Sequence, residues 1–145
     1  MKEEIVGRIE ANQKAMMDFP VELIFTSQRI VVATLVSAGG IFATAISDTF
    51  SGGFTKFSDL AKEKREEYEK LSINDILEAN KKNYAIPYEE ILKVEIKNPG
   101  TFSGAKMRIF TGTKKREFVF KKKKGLFDEL VNLVRPLVGE KLSLG

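Results

Sequence analysis

Seven basic residues, Lys114-Lys115-Arg116 and Lys121-Lys122-Lys123-Lys124, fall within eleven consecutive positions. Cations at that density suit one kind of chemistry, the electrostatic capture of phosphates, anionic headgroups or an acidic protein face. From Lys106 to Lys124 there are nine basic side chains and one acid, Glu117, although the whole chain carries only +4, so the remainder is net acidic. Contact with anionic lipid is worth about 1 kcal/mol per lysine near a bilayer. A lysine run also keeps a strand end solvated and guards it against edge pairing. The residues alone leave both readings open.

A second stretch, Val31 to Ser47, has no charged residue. With the residues that follow, it offers Ile41, Phe42, Ile46, Phe50, Phe54 and Phe57 as a surface for a partner or a membrane, or as packing against the chain's own core. A spanning helix does not fit. Val31 to Leu35 read as strand, which leaves about a dozen residues where about 20 are needed. The pairs Gly39-Gly40 and Gly52-Gly53 further weaken a continuous helix.

The absent residue types exclude more. With no Cys and no His, disulfides, thiolate metal sites, cysteine nucleophiles and the Ser-His-Asp arrangement are all ruled out. Glu89 and Glu90 are adjacent and would point to opposite faces of a strand, which does not suit a catalytic carboxylate pair. Gly100-Thr101-Phe102-Ser103-Gly104 lacks the lysine and following helix of a phosphate-cradling loop. Asp75, Asp128 and Glu129 sit near helix starts, where capping and the helix dipole account for them. The expectation is a non-catalytic protein that needs no cofactor and no metal.

The 145 residues suit one domain, 1–145. Val21-Glu22-Leu23-Ile24-Phe25-Thr26 and Arg29-Ile30-Val31-Val32-Ala33-Thr34-Leu35 are β-rich and only Ser27-Gln28 part them, which predicts a tight hairpin. An earlier strand is expected over Glu4 to Ile9. Residues 36–83 read as an insertion, an apolar Gly/Ala-rich segment followed by charged amphipathic helices. Phe57, Leu60, Ala61, Tyr68 and Leu71 form a narrow stripe on it. Such a stripe leaves apolar surface for a neighbouring subunit. Glu63, Lys64, Arg65, Glu66, Glu67, Glu69 and Lys70 read as a solvated face of that helix. Ser72, with Asp75 three residues on, marks a second helix start. Strands follow at Tyr84 to Ile86, Ile91 to Lys97, Lys106 to Thr111 and Arg116 to Lys121. Leu92, Val94 and Ile96 are expected on the inward face of the second of these. The last element, Leu126 to Val138, is an amphipathic helix, bent by Pro136 and stopped by Gly139. Seven short strands cannot bury both faces as one flat sheet, so two packed antiparallel sheets or a barrel are expected, plugged by the last helix.

At this point the residues resemble a family. ELIFTSQRIVVATL (Glu22 to Leu35) is similar to the hairpin of bacterial and archaeal pleckstrin-homology-like (PH-like) domains, related to GRAM domains. Its marks are an aliphatic pair, a Thr, two linking residues and an Arg leading an aliphatic strand. AIPYEEILKVEI (Ala85 to Ile96) is similar to their next motif, in which Ile-Pro-Tyr precedes an Ile and a strand. The resemblance covers Glu4 to Leu35 and Tyr84 to Val138. It implies a mainly β fold with helices: a seven-stranded, partly open barrel of two packed antiparallel sheets capped by a C-terminal α-helix, with a helical insertion between strands 3 and 4. Inositol-phosphate binders of this fold carry several basic residues in the loop after the first strand. Here Glu10 to Pro20 offers only Lys14 against Glu10 and Asp18, so the resemblance stops short of that ligand site.

The functional expectation is a cytoplasmic binding or scaffolding module acting through protein–protein contacts or self-association. The alternative is peripheral membrane attachment, through the basic residues as the anionic-ligand patch and the Phe-bearing insertion. Nucleic acid is disfavoured as a partner, because no exposed aromatics interleave the patch and no recognised binding motif accompanies it.

Overall fold

The computed structural model of the chain describes residues 3–16, 18–35, 54–100 and 104–145, with backbone alone for 54–59. The hairpin forms as the residues dictate. Strands β2 (Phe19–Thr26) and β3 (Arg29–Thr34) pair antiparallel around Ser27-Gln28. Every residue from Val21 to Thr26 and from Ile30 to Leu35 is buried. Both faces of the hairpin are covered, and a strand buried on both sides reads as a continuous apolar run instead of an alternating one.

On one face Val21, Leu23, Phe25, Ile30 and Val32 enter the main core with helix α3 (Leu126–Val138). On the other, Ile24, Val31, Ala33 and Leu35 meet Ala61 and Tyr68 of α1 (Phe54–Glu69) and Ile76 of α2 (Ile73–Ala79). The charged helical segment therefore has an apolar partner within its own chain. Of the stripe from which self-association was expected, Ala61 and Tyr68 are buried in this way. Leu60 and Leu71 remain partly exposed. Ser72 caps α2 as expected, its hydroxyl accepting from the Asp75 N–H at 3.2 Å.

The remaining strands are β1 (Ile5–Gln13), β4 (Tyr84–Pro87), β5 (Ile91–Lys97), β6 (Lys106–Thr111), β7 (Lys115–Val119) and β8 (Leu142–Leu144). Among the described residues, eight strands join one hydrogen-bonded sheet in the order β4-β3-β2-β1-β7-β6-β5-β8, mixed because β5 and β8 run parallel. Seven strands were expected, arranged as two packed antiparallel sheets or a partly open barrel. The eighth strand is three residues long, too short to show a period.

Both halves of this sheet contribute to a single core. Phe118, Phe120 and Leu130 belong to it, together with Val94, Ile96, Met107 and Ile109, and Phe127 packs against it. Burying each of the large side chains contributes about 1.5–3 kcal/mol. Helix α3 starts after Gly125 (φ +82°) and ends at Gly139 (φ +58°), where left-handed backbone favours glycine. Pro136 sits in its last turn.

Two strands depart from the alternation read in the sequence. β1 runs on to Gln13, with Glu10 opposite Glu22 and Ala11 opposite Val21. The turn after it is therefore only Lys14 to Asp18, whose charged side chains pair at 3.2 Å. In β5 the register shifts between Ile91 and Lys93, so Ile91 is buried while Leu92 is left 65% exposed. A bulge residue flips the face of everything before it. Among the described residues no helix is long and apolar enough to cross a membrane.

Candidate functional site

The two sequence motifs meet in space. The Thr26 hydroxyl accepts from the backbone N–H groups of Gln28 and Arg29 and lies 2.6 Å from Oε2 of Glu3. Arg29 donates to both oxygens of the same carboxylate, at 2.9 and 3.1 Å. From the second motif, the Tyr88 hydroxyl donates to the Thr26 carbonyl at 2.6 Å. Burial raises the Glu3 pKa, but hydrogen bonds from Arg29 and Thr26 outweigh it and hold the carboxyl below its ordinary value. Thr, Arg and Tyr are thus fastenings of the β2–β3 turn. They do not point at a ligand.

A second polar cluster fixes the helices. Asn83 accepts from the Thr34 N–H at 2.7 Å and donates to the Ile76 carbonyl at 2.7 Å and to the Tyr68 hydroxyl at 3.2 Å. Tyr68 donates in turn to the Thr34 carbonyl at 2.6 Å. These buried groups tie α1 and α2 to the end of β3.

The seven residues of the basic patch divide. Lys114 is exposed in the β6–β7 turn and Lys115, also exposed, begins β7, whereas Lys121 to Lys124 follow that strand, all exposed. Arg116 leaves the patch. Its guanidinium lies 4.4 Å from the centre of the Tyr84 ring, and the Tyr84 hydroxyl donates to Gln13. Burial pushes the Tyr84 pKa up to about 12, so the phenol stays neutral and the pair is a cation over a ring. Arg116 is correctly placed in the sequence as a cation, but it alternates with Phe118 and Phe120 and so turns toward their side of β7. Glu117, the one acid of this stretch, is taken up by Arg108 at 2.6 Å, and that bond holds its pKa below the usual carboxylate range.

Lys121 and Lys123 line a cavity of about 270 Å³ with Arg8, Ile9, Glu10, Ala11 and Asn12 of β1, Arg65 of α1, and Leu126 and Glu129 of α3. Lys122 instead donates to the Gly100 carbonyl.

Sequence reasoning missed Arg8 and Arg65, and placed Arg65 on a solvated helical face. Arg65 in fact reaches β1, donating to Glu10 at 2.7 Å and lying 3.8 Å from Glu22, while Arg8 donates to Glu22 at 3.1 Å. The readable signal was Glu22 itself. A lone acid in an otherwise apolar strand, with Glu10 directly opposite, demands cations. Desolvation raises the Glu22 pKa above its ordinary 4.5, against the attraction of Arg8 and Arg65. A carboxyl raised on folding stabilises the fold where it is protonated. That contribution is complete below the unfolded value near 4.5 and is lost as pH climbs through the folded one. Glu22→Gln, which cannot ionise, is therefore expected to gain stability relative to the parent chain between about pH 4 and about pH 7. Urea midpoints at the two pH values check this, and a constant or widening deficit for the variant contradicts it.

Of the apolar candidates, Ile41, Phe42, Ile46 and Phe50 lie outside the described residues. Phe54 and Phe57 fall in the first turns of α1. Among the described residues no group of three or more acidic side chains is arranged to hold a metal ion.

No protein-family model matches this chain, and no curated protein does. Among solved structures, one match is the hSac2 domain from human phosphoinositide phosphatase Sac2. It shares 12% sequence identity at a TM-score of 0.49, and the match covers 99% of this chain and 77% of that one.

Proposed function

We propose that the chain is a non-catalytic binding module of PH-like architecture that docks on the acidic surface of a protein partner. The PH-like part rests on the meeting of the two motifs at Thr26 and on the C-terminal helix packed in the core. A partly open barrel fits one sheet whose two halves share that core. The observation that carries the docking part is the state of the charges. Among the described residues, Lys114, Lys115, Lys121, Lys123 and Lys124 are exposed and have no acidic partner, whereas Arg8, Arg29, Arg65 and Arg108 are held by carboxylates. Unpaired surface cations steer association with anionic faces.

A second reading, attachment to an anionic membrane, is favoured by the uncharged Phe-bearing stretch after β3. One comparison separates the two. A fluorescent oligoglutamate peptide stands in for the acidic partner, and phosphatidylserine vesicles stand in for the membrane. Docking on protein predicts peptide binding that weakens between about 0.05 and 0.5 M salt and is lost when Lys121 to Lys124 become Glu. Vesicle pelleting with the same dependence, and no peptide binding, moves the function to the membrane. Failure of both probes ends the docking reading.

A further inference from the structure

The cavity behind Lys121 and Lys123 differs in kind from the exposed lysines. Four cations (Arg8, Arg65, Lys121 and Lys123) and two carboxylates (Glu10 and Glu129) line it, with Asn12 between them and Ile9, Ala11 and Leu126 as its apolar wall. They come from four places in the chain: β1, α1, the segment after β7, and the first turn of α3. Both arginines are ion-paired. Arg8 is anchored by buried Glu22, and Arg65 by Glu10. A guanidinium has five N–H donors, and these bonds engage only part of each set. Lys121 and Lys123 have no acidic partner among the described residues.

We propose that this cavity binds a small phosphomonoester bearing hydroxyl groups. Guanidinium groups already paired to carboxylates but with spare N–H donors, together with two unpaired ammonium groups around the same space, suit the charge and the several oxygens of a phosphate. The carboxylate of Glu129 and the amide of Asn12 supply acceptors and donors suited to hydroxyls, and would repel a ligand charged along its whole length. The volume, about 270 Å³, lies just below the usual range of ligand sites, which suits a small ligand such as one phosphorylated sugar or polyol. The proposal shares the exposed residues Lys121 and Lys123 with the docking reading but rests on their lining this cavity, and it leaves Lys114, Lys115 and Lys124 outside.

Titration of the folded chain with glucose 6-phosphate and with inorganic phosphate, followed by amide chemical shifts, tests it. Saturable shifts are expected at Arg8 to Asn12 and at Lys121 to Lys123. The double variant Lys121→Ala, Lys123→Ala should weaken binding about tenfold or more, while Lys124→Ala and Lys114→Ala leave it unchanged. Vesicles containing phosphatidic acid, compared with phosphatidylserine, form the second arm. Binding to phosphatidic acid alone, with the same dependence on Lys121 and Lys123, keeps the phosphomonoester chemistry and assigns its source to a lipid headgroup. No saturable shift with any of these probes up to about 10 mM, or an equal loss in the Lys124 and Lys114 variants, overturns the proposal.

Discussion

Gly104→Ala is expected to cost about 3 kcal/mol or more of stability. Gly104 is buried, and a Cβ there would lie 1.9 Å from the carbonyl oxygen of Phe120, with the Phe120 and Lys121 carbonyl carbons at 2.8 and 2.7 Å. All three atoms are backbone, so no side chain can rotate away. Either the segment before β6 or the end of β7 must move. The neighbouring bond from the Phe120 N–H to the Ala105 carbonyl, 2.9 Å, would stretch with it. Phe120 itself is buried in the main core, so the displacement is felt there too. Gly112→Ala is the matched control. Nothing lies within 4 Å of its Cβ position, and its backbone is not left-handed, so no loss is expected. Urea unfolding of the two variants checks both, and a Gly104 variant within about 0.5 kcal/mol of the parent would show that the approach relaxes freely.

Asn83→Leu should destabilise by about 2–4 kcal/mol, because it strands several buried partners at once. The Thr34 N–H and the Ile76 carbonyl lose their bonds to the Asn83 side chain, and the Tyr68 hydroxyl loses the donor it accepts from while keeping its own bond to Thr34. A buried group left without a partner forfeits its full desolvation penalty, whereas deleting both members of a pair is far milder. Tyr68→Phe, which removes only the bond to the Thr34 carbonyl and one partner of Asn83, should cost about 1 kcal/mol. The effect is also local. Hydrogen exchange should quicken in α1 and α2 before it does in β5 or β6, since the cluster is what fastens those helices to β3. Uniform quickening, or none, contradicts that role.

Much of the fold was legible because the rules that make it are local. The two-residue turn after Thr26, the Ser72 cap, the apolar face of the last helix and its Gly139 stop each depend on neighbours within a few positions. Four departures have a different cause. β1 looked short because Glu10 and Asn12 imitate a loop, and only the pairing across to Glu22 and Pro20 shows them as the outer row of a strand. Leu92 obeyed the alternation of β5 until a bulge, invisible to period counting, turned it outward. Arg65 resembled every other charged residue on its helix until β1 was laid against it. Lys121 and Lys124 are identical letters in one run, and only the position of β1 and α1 separates the residue that faces the cavity from the one that does not. Contacts across sequence distance, not propensities, carry the candidate site.

The position of Asn83 has a kinetic consequence. β3 and β4 are neighbours in the sheet although Thr34 and Asn83 are forty-nine positions apart. Bringing distant segments together costs entropy that must be met before any ladder bond rewards it. Asn83 is the residue immediately before β4, and its amide is already clasped to the last residue of β3. Once α1 and α2 have docked, the search is reduced to a single clasp. From there Tyr84, Ala85, Ile86 and Pro87 close in turn against Val32, Val31, Ile30 and Arg29, like a zip started at one end.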